Sequence, residues 1–422
     1  MSSWKERAFL PVVAAVVYLI FGVILPSIPR TTHGFIGYYA ASRLLLEDGW
    51  GPHVYDNEWF IAYTQTFTGG KVGEVIRPNF PTVALLALPV AFLSPDAARA
   101  LWLWGNLGAL IAGVALLHAN GFNASSLHGT NQHAPWLFRF PILLTTFLLV
   151  IPPLTRNFEL GQAYLVLLFL LAAAVYGFER QNDRLAGIAL GLAFGLKSAG
   201  ALLWLALIAQ RRWRALAWGV GTFACLALFS LPWIGLDTWA AYPATVINTS
   251  GEPILTATAY QSVPGLFSHL FQYHEIWSPA PLINLPGLGQ LFVGVIGLTT
   301  LWLTLRKASN VSTSLLAAAL IALNTVLVPL VEEHQYALML IPIIILAKHI
   351  KENPPESKWE WLVFGLSILL LAVPVYYKNP ALFGGWLSLF AYPRLFAGCG
   401  IWLLILHRLH KESQKPLPQP SR

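Results

Sequence analysis

Long runs of apolar residues, separated by short polar segments, fill most of the chain. The first run covers residues 8–25 and follows Lys5 and Arg7. Further runs lie near residues 80–93, 98–117, 136–152, 163–178, 185–196, 198–210, 213–234, 287–306, 313–330, 336–350, 359–377 and 386–407. Although several runs are shorter than the roughly 20 residues of a membrane-crossing helix, the pattern predicts an all-α polytopic membrane protein with about 12 transmembrane helices.

The composition favours the same class of protein. Of the 422 residues, 56% are hydrophobic and 11% are charged, whereas soluble globular proteins carry about 25% charged residues. These values exclude a cytosolic enzyme, a disordered protein and a secreted scaffold held by disulfides. Both cysteines, Cys225 and Cys399, lie in apolar runs, so the sequence predicts neither a disulfide framework nor a thiolate metal site.

Basic residues indicate which side of the membrane each loop faces, because Lys and Arg concentrate in cytoplasmic loops. Residues 215–305 contain neither, and we predict that their polar part is external. The basic clusters at 211–214, 306–307, 348–358 and 407–422 are predicted to be cytoplasmic, with both termini, at a bacterial inner membrane. These clusters account for the net charge of +7, so no nucleic-acid partner is expected.

Two long polar segments, residues 27–79 and 235–286, interrupt the runs. Loops of this length are uncommon unless they are functional. We predict that both are external parts of a single domain, residues 1–422, which ends in a cytoplasmic tail at about 408–422.

The number of crossings in the first half of the chain stays open. In one arrangement, residues 185–210 form one long helix. In the other they form a hairpin with Lys197 at its outer turn, and residues 80–93 lie in the membrane plane or re-enter. The hairpin is preferred because it keeps both flanking basic clusters in the cytoplasm.

Four polar clusters stand out from this apolar background. In the first loop, residues 37–46 have a helical pattern that is expected to lie along the membrane surface. The candidate residues of the four clusters are His33, Asp48 and Asp56 in this loop, Arg156, Asn157 and Gln162 between two runs, the lone Lys197, and His334 in a short turn.

Each cluster has both a structural and a functional interpretation. The structural interpretations are an interfacial anchor for the first loop, a solvated turn for residues 156–162, a snorkelling side chain for Lys197 and a polar helix cap for the turn at His334. However, ionisable residues among membrane helices are costly and usually functional, and the hairpin arrangement places all four clusters on the external side. There they predict a site for a lipid phosphate, with Lys197, Arg156, Asn157, Gln162 and His334 as binding residues.

At these residues the chain resembles glycosyltransferase family 87, the polyprenol-phosphate-mannose-dependent α-mannosyltransferase type of the GT-C superfamily. The resemblance runs from about residue 33 to 345, and the order and spacing of its elements are more specific than any single element. The elements are Tyr38-Tyr39-Ala40-Ala41 with Leu44-Leu45 and Tyr55-Asp56, the run opened by Pro78 to Pro81, Asn157 to Gln162, the glycine-rich segment from Gly187 to Lys197, and His334-Gln335-Tyr336.

The resemblance implies a GT-C-type fold and a membrane glycosyltransferase. Such an enzyme transfers a hexose, mannose in this family, from a polyprenyl-phosphate sugar donor to a lipid- or glycan-linked acceptor on the external face. No nucleotide, metal or other cofactor is implied, and the partners are the donor, the acceptor and membrane lipids.

One position departs from the family pattern. The family usually carries an aspartate, the general base, just before the phenylalanine of the first loop, and this chain has Gly34 there. His33 is the first candidate to replace it, because a neutral imidazole accepts protons near neutral pH; Asp56 is the second and Asp48 the third. The alternatives are an inactive binding homologue and a transporter or flippase of a lipid-linked saccharide, for which internal repeats are expected but not found.

Overall fold

The computed structural model describes residues 3–76, 79–119, 135–249, 252–306, 308–355, 357–374, 376 and 379–414. These residues form helices and loops, with isolated β-bridges but no strand. Pro78, Lys307 and residues 415–422, which enter the sequence predictions, lie outside the described residues.

The α-helices of the described residues are α1 (Ser3–Val17), α2 (Leu25–Ser27), α3 (Phe35–Leu46), α4 (Asn57–Thr66), α5 (Pro95–Ala119), α6 (Pro135–Leu148), α7 (Pro152–Leu160), α8 (Tyr164–Glu179), α9 (Asp183–Lys197), α10 (Leu203–Ala209), α11 (Trp213–Ile234), α12 (Leu236–Thr249), α13 (Val263–Phe271), α14 (Pro286–Leu305), α15 (Thr313–Leu327), α16 (Leu340–Glu352), α17 (Lys358–Ala372) and α18 (Pro393–Ser413). A π-helix joins α1 to α2 (Tyr18–Ile24), and short 3-10 helices include Pro81–Leu85, Leu88–Val90 and Glu333–Met339.

Several helices are long and apolar enough to cross a bilayer. Among the described residues there are four, Leu10–Ser27, Pro95–Ala119, Trp213–Ile234 and Pro286–Leu305, or up to six if two bent helix pairs each form one span. The remaining apolar helices, such as the 16-residue α8 and the 15-residue α15, are shorter than a perpendicular span requires. The all-helical architecture of a polytopic membrane protein is thus supported, whereas the predicted count of 12 spans is not confirmed.

Residues 185–210 do not form the single long helix of the first arrangement. Helix α9 ends at Lys197, and Ser198 and Gly200 both adopt positive φ angles, 49° and 71°, before α10 begins. Residues 80–93 contain two short 3-10 helices instead of one helix of spanning length. Both observations agree with the hairpin arrangement, and the side of the membrane that its turn faces stays a prediction.

Glycines at four-residue spacing, a pattern that lets helices pack closely in lipid, bring α9 close to α11. A Cβ atom on Gly187 would lie 2.3 Å from the Ala215 carbonyl oxygen, and one on Gly191 would lie 2.5 Å from that of Gly219. Larger residues would therefore separate the two helices. This close packing fixes α9 and, with it, the position of Lys197 at its end.

Helix α3 differs from its predicted position. The helical pattern of residues 37–46 is confirmed, but 10 of the 12 residues of α3 are buried inside the protein instead of one face only. The Ser42 hydroxyl donates to the Ala84 carbonyl at 2.6 Å, and the Tyr38 ring packs 5.9 Å from that of Trp102. Its small and aromatic residues fit between neighbouring elements, so α3 forms a wall of the interior.

Candidate functional site

A polar cavity of about 480 Å³ lies between the helix ends of the protein. Its walls are the start of α3, residues 74–76 with Asn79, the turn after α7, the end of α9, and residues of the 324–338 segment. The polar residues that line it are His33, Tyr38, Glu74, Asn79, Gln162, Tyr164, Lys197, Ser198, Tyr260, Asn324, Thr325, Glu332, His334 and Gln335. Three of the predicted polar clusters therefore meet the first loop around one cavity.

Lys197 supplies a positive charge to this cavity. Its Nζ atom donates to the Tyr38 hydroxyl at 2.7 Å and to Asn79 Oδ1 at 3.2 Å, and it lies 5.3 Å from the centre of the Tyr164 ring. Among the described residues it forms no ion pair with a carboxylate. Burial lowers the pKa of Lys197 to about 8, against the smaller opposite effect of the Glu74 and Glu332 charges. The ammonium group is thus held in place by neutral groups and is available to an anion.

Gln162 reaches the cavity because of the turn that ends α7. Gly161 adopts a left-handed conformation with φ of 65°, and a Cβ atom there would lie 2.6 Å from Cβ of Phe35. The Gln162 side chain then accepts a hydrogen bond from the Tyr38 hydroxyl at 2.6 Å. A continuous chain of hydrogen bonds therefore runs from Lys197 through Tyr38 to Gln162.

Asn157 lies behind the cavity wall and not in the wall itself. Its side chain is fully buried and donates to the carbonyl oxygens of Pro153 and His334, both at 2.8 Å. The Gln162 N–H donates to the Asn157 carbonyl at 2.8 Å. The predicted motif of residues 157–162 thus ties the Gln162 turn to the His334 turn, and Asn157 braces the site without lining the cavity.

The side chains of the turn at residues 332–334 point to two different places. Glu333 pairs with the buried Arg394, whereas Glu332 and His334 line the cavity, with 3.7 Å between Glu332 Oε2 and His334 Nδ1. Burial, followed by the nearby charge of Lys197, lowers the pKa of His334 to about 3. His334 is therefore neutral at physiological pH and contributes hydrogen bonding, not charge.

Glu74 is a charged residue of the cavity that was not among the predicted site residues. Its Oε2 atom accepts a hydrogen bond from the Gly34 N–H at 2.7 Å, and its Oε1 atom accepts one from the Val75 N–H at 2.9 Å. The Glu74 N–H in turn donates to the buried Thr64 hydroxyl at 3.0 Å. Glu74 lies near the end of the predicted first loop, where apolar residues show no regular spacing. Its acidic side chain was therefore the one feature of the sequence that could have indicated a functional role.

The three predicted base candidates occupy different surroundings. His33 lies at the cavity rim, with its Nδ1 atom 3.9 Å from Glu74 Oε2 and 66% of its side chain exposed. Asp56 caps α4 by accepting from the N–H groups of Glu58 and Trp59, and Asp48 lies in an exposed turn with φ of 51°. Neither aspartate lines the cavity, so the geometry offers no support for their predicted role as base.

Arg156 lies outside the cavity on the exposed side of α7. It pairs with Glu159 at 2.6 Å and approaches Glu333 to 3.8 Å, and 52% of its side chain is exposed. Its predicted contact with a phosphate stays a prediction that the cavity geometry does not support. Within the described ranges, no group of three or more His, Cys, Asp or Glu residues is arranged to hold a metal ion.

These observations define an integral membrane protein: its helices include several of spanning length, and a polar cavity lined by the ammonium group of Lys197 opens between the ends of other helices. A family model described as glycosyltransferase family 87 matches residues 80–331. The chain therefore belongs to glycosyltransferase family 87. The matched residues include Asn157, Gln162 and Lys197, while Glu74 and His334 lie just outside them.

A curated protein is also similar to this chain. The chain is 25% identical over 277 residues to the polyprenol-phosphate-mannose-dependent alpha-(1-2)-phosphatidylinositol mannoside mannosyltransferase of Mycobacterium tuberculosis (strain ATCC 25618 / H37Rv). The match covers 63% of this chain and spans 60% of the length of the relative. No solved structure matches the chain.

Proposed function

We propose that this protein is a membrane glycosyltransferase that transfers a hexose from a polyprenyl-phosphate sugar donor to a lipid- or glycan-linked acceptor. The family supports the class of reaction, and the name of the curated relative supports mannose and the polyprenyl-phosphate carrier. We further propose a GT-C-type fold at the plasma membrane, with the cavity on the external side and both termini in the cytoplasm.

The observation that carries the proposal is the ammonium group of Lys197 in the cavity. A sugar linked to a polyprenyl phosphate carries one negative charge, on the phosphodiester. Lys197 has three N–H donors, of which Tyr38 and Asn79 accept two, so one remains for a phosphate oxygen. Among the described residues, no carboxylate lies within ion-pair distance of Lys197. The donor phosphate can therefore form an ion pair with its ammonium group.

The surrounding groups suit the rest of such a donor. The Gln162 amide and the neutral His334 ring offer hydrogen bonds to sugar hydroxyl groups, and the Tyr164 ring lies 5.2 Å from the His334 ring at an angle of 57°. The departing polyprenyl phosphate develops a second negative charge as the glycosidic bond breaks. Lys197 stabilises this charge, which makes it a contributor to turnover as well as to binding.

The test is a direct assay of transfer. Purified full-length protein in lipid nanodiscs is incubated with polyprenyl-phosphate mannose, or with the glucose analogue, and a mixture of phosphoinositide and glycan acceptors. We expect release of polyprenyl phosphate together with a product one hexose larger than the acceptor. Donor binding without any release would refute the proposal, and movement of intact donor across proteoliposome membranes would favour a flippase instead.

A further inference from the structure

Glu74 is the carboxylate of the cavity whose orientation is fixed by backbone groups. Both of its oxygens accept hydrogen bonds from backbone N–H groups, those of Gly34 and Val75. Its own N–H is anchored on the Thr64 hydroxyl, which is fully buried. Only 22% of the Glu74 side chain is exposed. A glutamate that is only solvated at the surface would have neither these backbone hydrogen bonds nor this degree of burial.

The backbone around Glu74 is shaped to admit it. Gly34 has φ of 89°, and a Cβ atom there would lie 2.7 Å from Gln162 Nε2 and 2.8 Å from the Leu160 carbonyl oxygen. A Cβ atom on Gly37 would lie 2.8 Å from Cγ of Glu74. Position 34 therefore has no room for a side chain of its own, and the missing side chain at position 37 leaves the space that Glu74 fills.

The charges around the cavity favour a carboxylate at the position of Glu74. It lines the same cavity as Lys197, and the two charges interact favourably. It also lies at the N-terminal end of α3, where the helix dipole favours a negative charge. Glu332 lines the cavity as well, but its side chain is 47% exposed and lies against His334. Glu74, with 22% of its side chain exposed, is the more buried of the two carboxylates.

We propose that Glu74 is the general base of the transfer reaction, an inference that rests on the function proposed above. The Glu74 carboxylate takes the proton of the acceptor hydroxyl while that oxygen forms a bond to C1 of the donor sugar. The bond between C1 and the phosphate oxygen breaks, and polyprenyl phosphate leaves with the electron pair. His33, 3.9 Å from Glu74 and largely exposed, passes the proton to solvent.

The first test is Glu74→Gln. The glutamine keeps the length of the side chain and an oxygen that accepts from the Gly34 N–H, but it does not take a proton. We expect kcat to fall by about 10²- to 10⁴-fold, with donor affinity within about threefold of the wild type at pH 6.5, where Lys197 is protonated. Glu58→Gln is the matched control, since it makes the same charge change on an exposed residue of α4 outside the cavity, and its turnover should stay normal.

A second variant separates a catalytic role from a structural one. Glu74→Ala opens space beside Gly34, and added formate supplies a small carboxylate that fits there. We expect formate to raise the turnover of Glu74→Ala at least tenfold, and to leave Glu58→Ala and the wild type unchanged. A residue that only supports the fold would give a loss of activity without this rescue, and that result would overturn the proposal.

The remaining outcomes separate this inference from the proposed function. If the wild type releases no polyprenyl phosphate, the proposed function itself is refuted. If the wild type is active and Glu74→Gln keeps normal turnover, only the assignment of Glu74 is overturned. A loss confined to His33→Ala or to Glu332→Gln would then give the proton to that residue instead.

Discussion

Replacement of Lys197 by methionine is the most direct perturbation of the cavity, because it removes the ammonium charge and keeps most of the side-chain volume. A hydrogen bond to a charged group contributes about 1.5–3 kcal/mol, which corresponds to a change of roughly 10- to 150-fold in the dissociation constant. Lys197→Met should therefore weaken binding of a polyprenyl-phosphate sugar by that factor. Lys197 forms no ion pair with a carboxylate among the described residues, so its loss does not break a buried ion pair.

The pH dependence of binding gives an independent measure of the same interaction. The pKa of Lys197 is lowered to about 8 by burial, so its charge is present below pH 8 and is lost as the pH rises through that value. The donor phosphodiester keeps its single charge over this range. Donor affinity should thus be constant at pH 6–7 and fall roughly tenfold per unit above pH 8. In Lys197→Arg this alkaline decline should disappear, because guanidinium stays protonated.

The assay is donor binding to purified protein in nanodiscs, measured by calorimetry from pH 6 to 10. Lys71→Met is the matched control, since Lys71 is exposed in the first loop and does not line the cavity. Thermal unfolding of each variant shows whether its fold is intact. If Lys197→Met binds donor like Lys71→Met at pH 7, or if affinity is flat to pH 10, Lys197 does not hold the phosphate.

Three further predictions concern the elements that build the cavity. Gly191→Ala should lower stability by about 1–3 kcal/mol, because its Cβ atom would lie 2.5 Å from a carbonyl oxygen of α11; Gly221→Ala, with nothing within 4 Å, should not, and equal unfolding midpoints would contradict this packing. Asn157→Ala should lower stability by about 1–3 kcal/mol and weaken donor binding, since two buried carbonyls lose their donor; unchanged donor affinity would show that this brace does not set the cavity. Gly34→Ala should lower the unfolding midpoint more than Gly70→Ala, because both have positive φ angles but only the first meets neighbouring atoms; equal midpoints would refute this.

The class of protein and the family could be predicted from the sequence. Composition and apolar runs reflect the membrane environment of the chain and do not depend on how its helices pack together. Some helix boundaries could also be predicted from the sequence: α11 and α14 begin and end within about two residues of their apolar runs. The burial of α3 could not be predicted. Its pattern of small and aromatic residues suits both a membrane surface and a protein interior, and only its neighbours decide between them.

Within the site, sequence reasoning found residues that carry a local signal. Lys197 stands out as a lone charge between apolar helices, and the turn at Gly161 marks Gln162. It also predicts that Asn157 binds the donor, whereas the Asn157 side chain donates to two backbone carbonyls behind the cavity wall. An amide in a motif looks the same whether it faces a cavity or a carbonyl. The direction in which a side chain points depends on how its helix packs against its neighbours, and a sequence motif does not contain this information.

The carboxylate beside Gly34 is distant from it in sequence. The sequence predicts a base from the first loop, with His33 as the nearest ionisable group to position 34 and Asp56 and Asp48 as further candidates, and these roles stay predictions. In the folded protein the Gly34 N–H is bound by Glu74, 40 residues along the chain. A glycine with φ of 89° and no space for a Cβ atom excludes any acid at position 34 itself, so a carboxylate in this part of the cavity has to come from elsewhere in the chain. If Glu74 is the base, the departure at position 34 is a relocation of the acid and not a loss of activity.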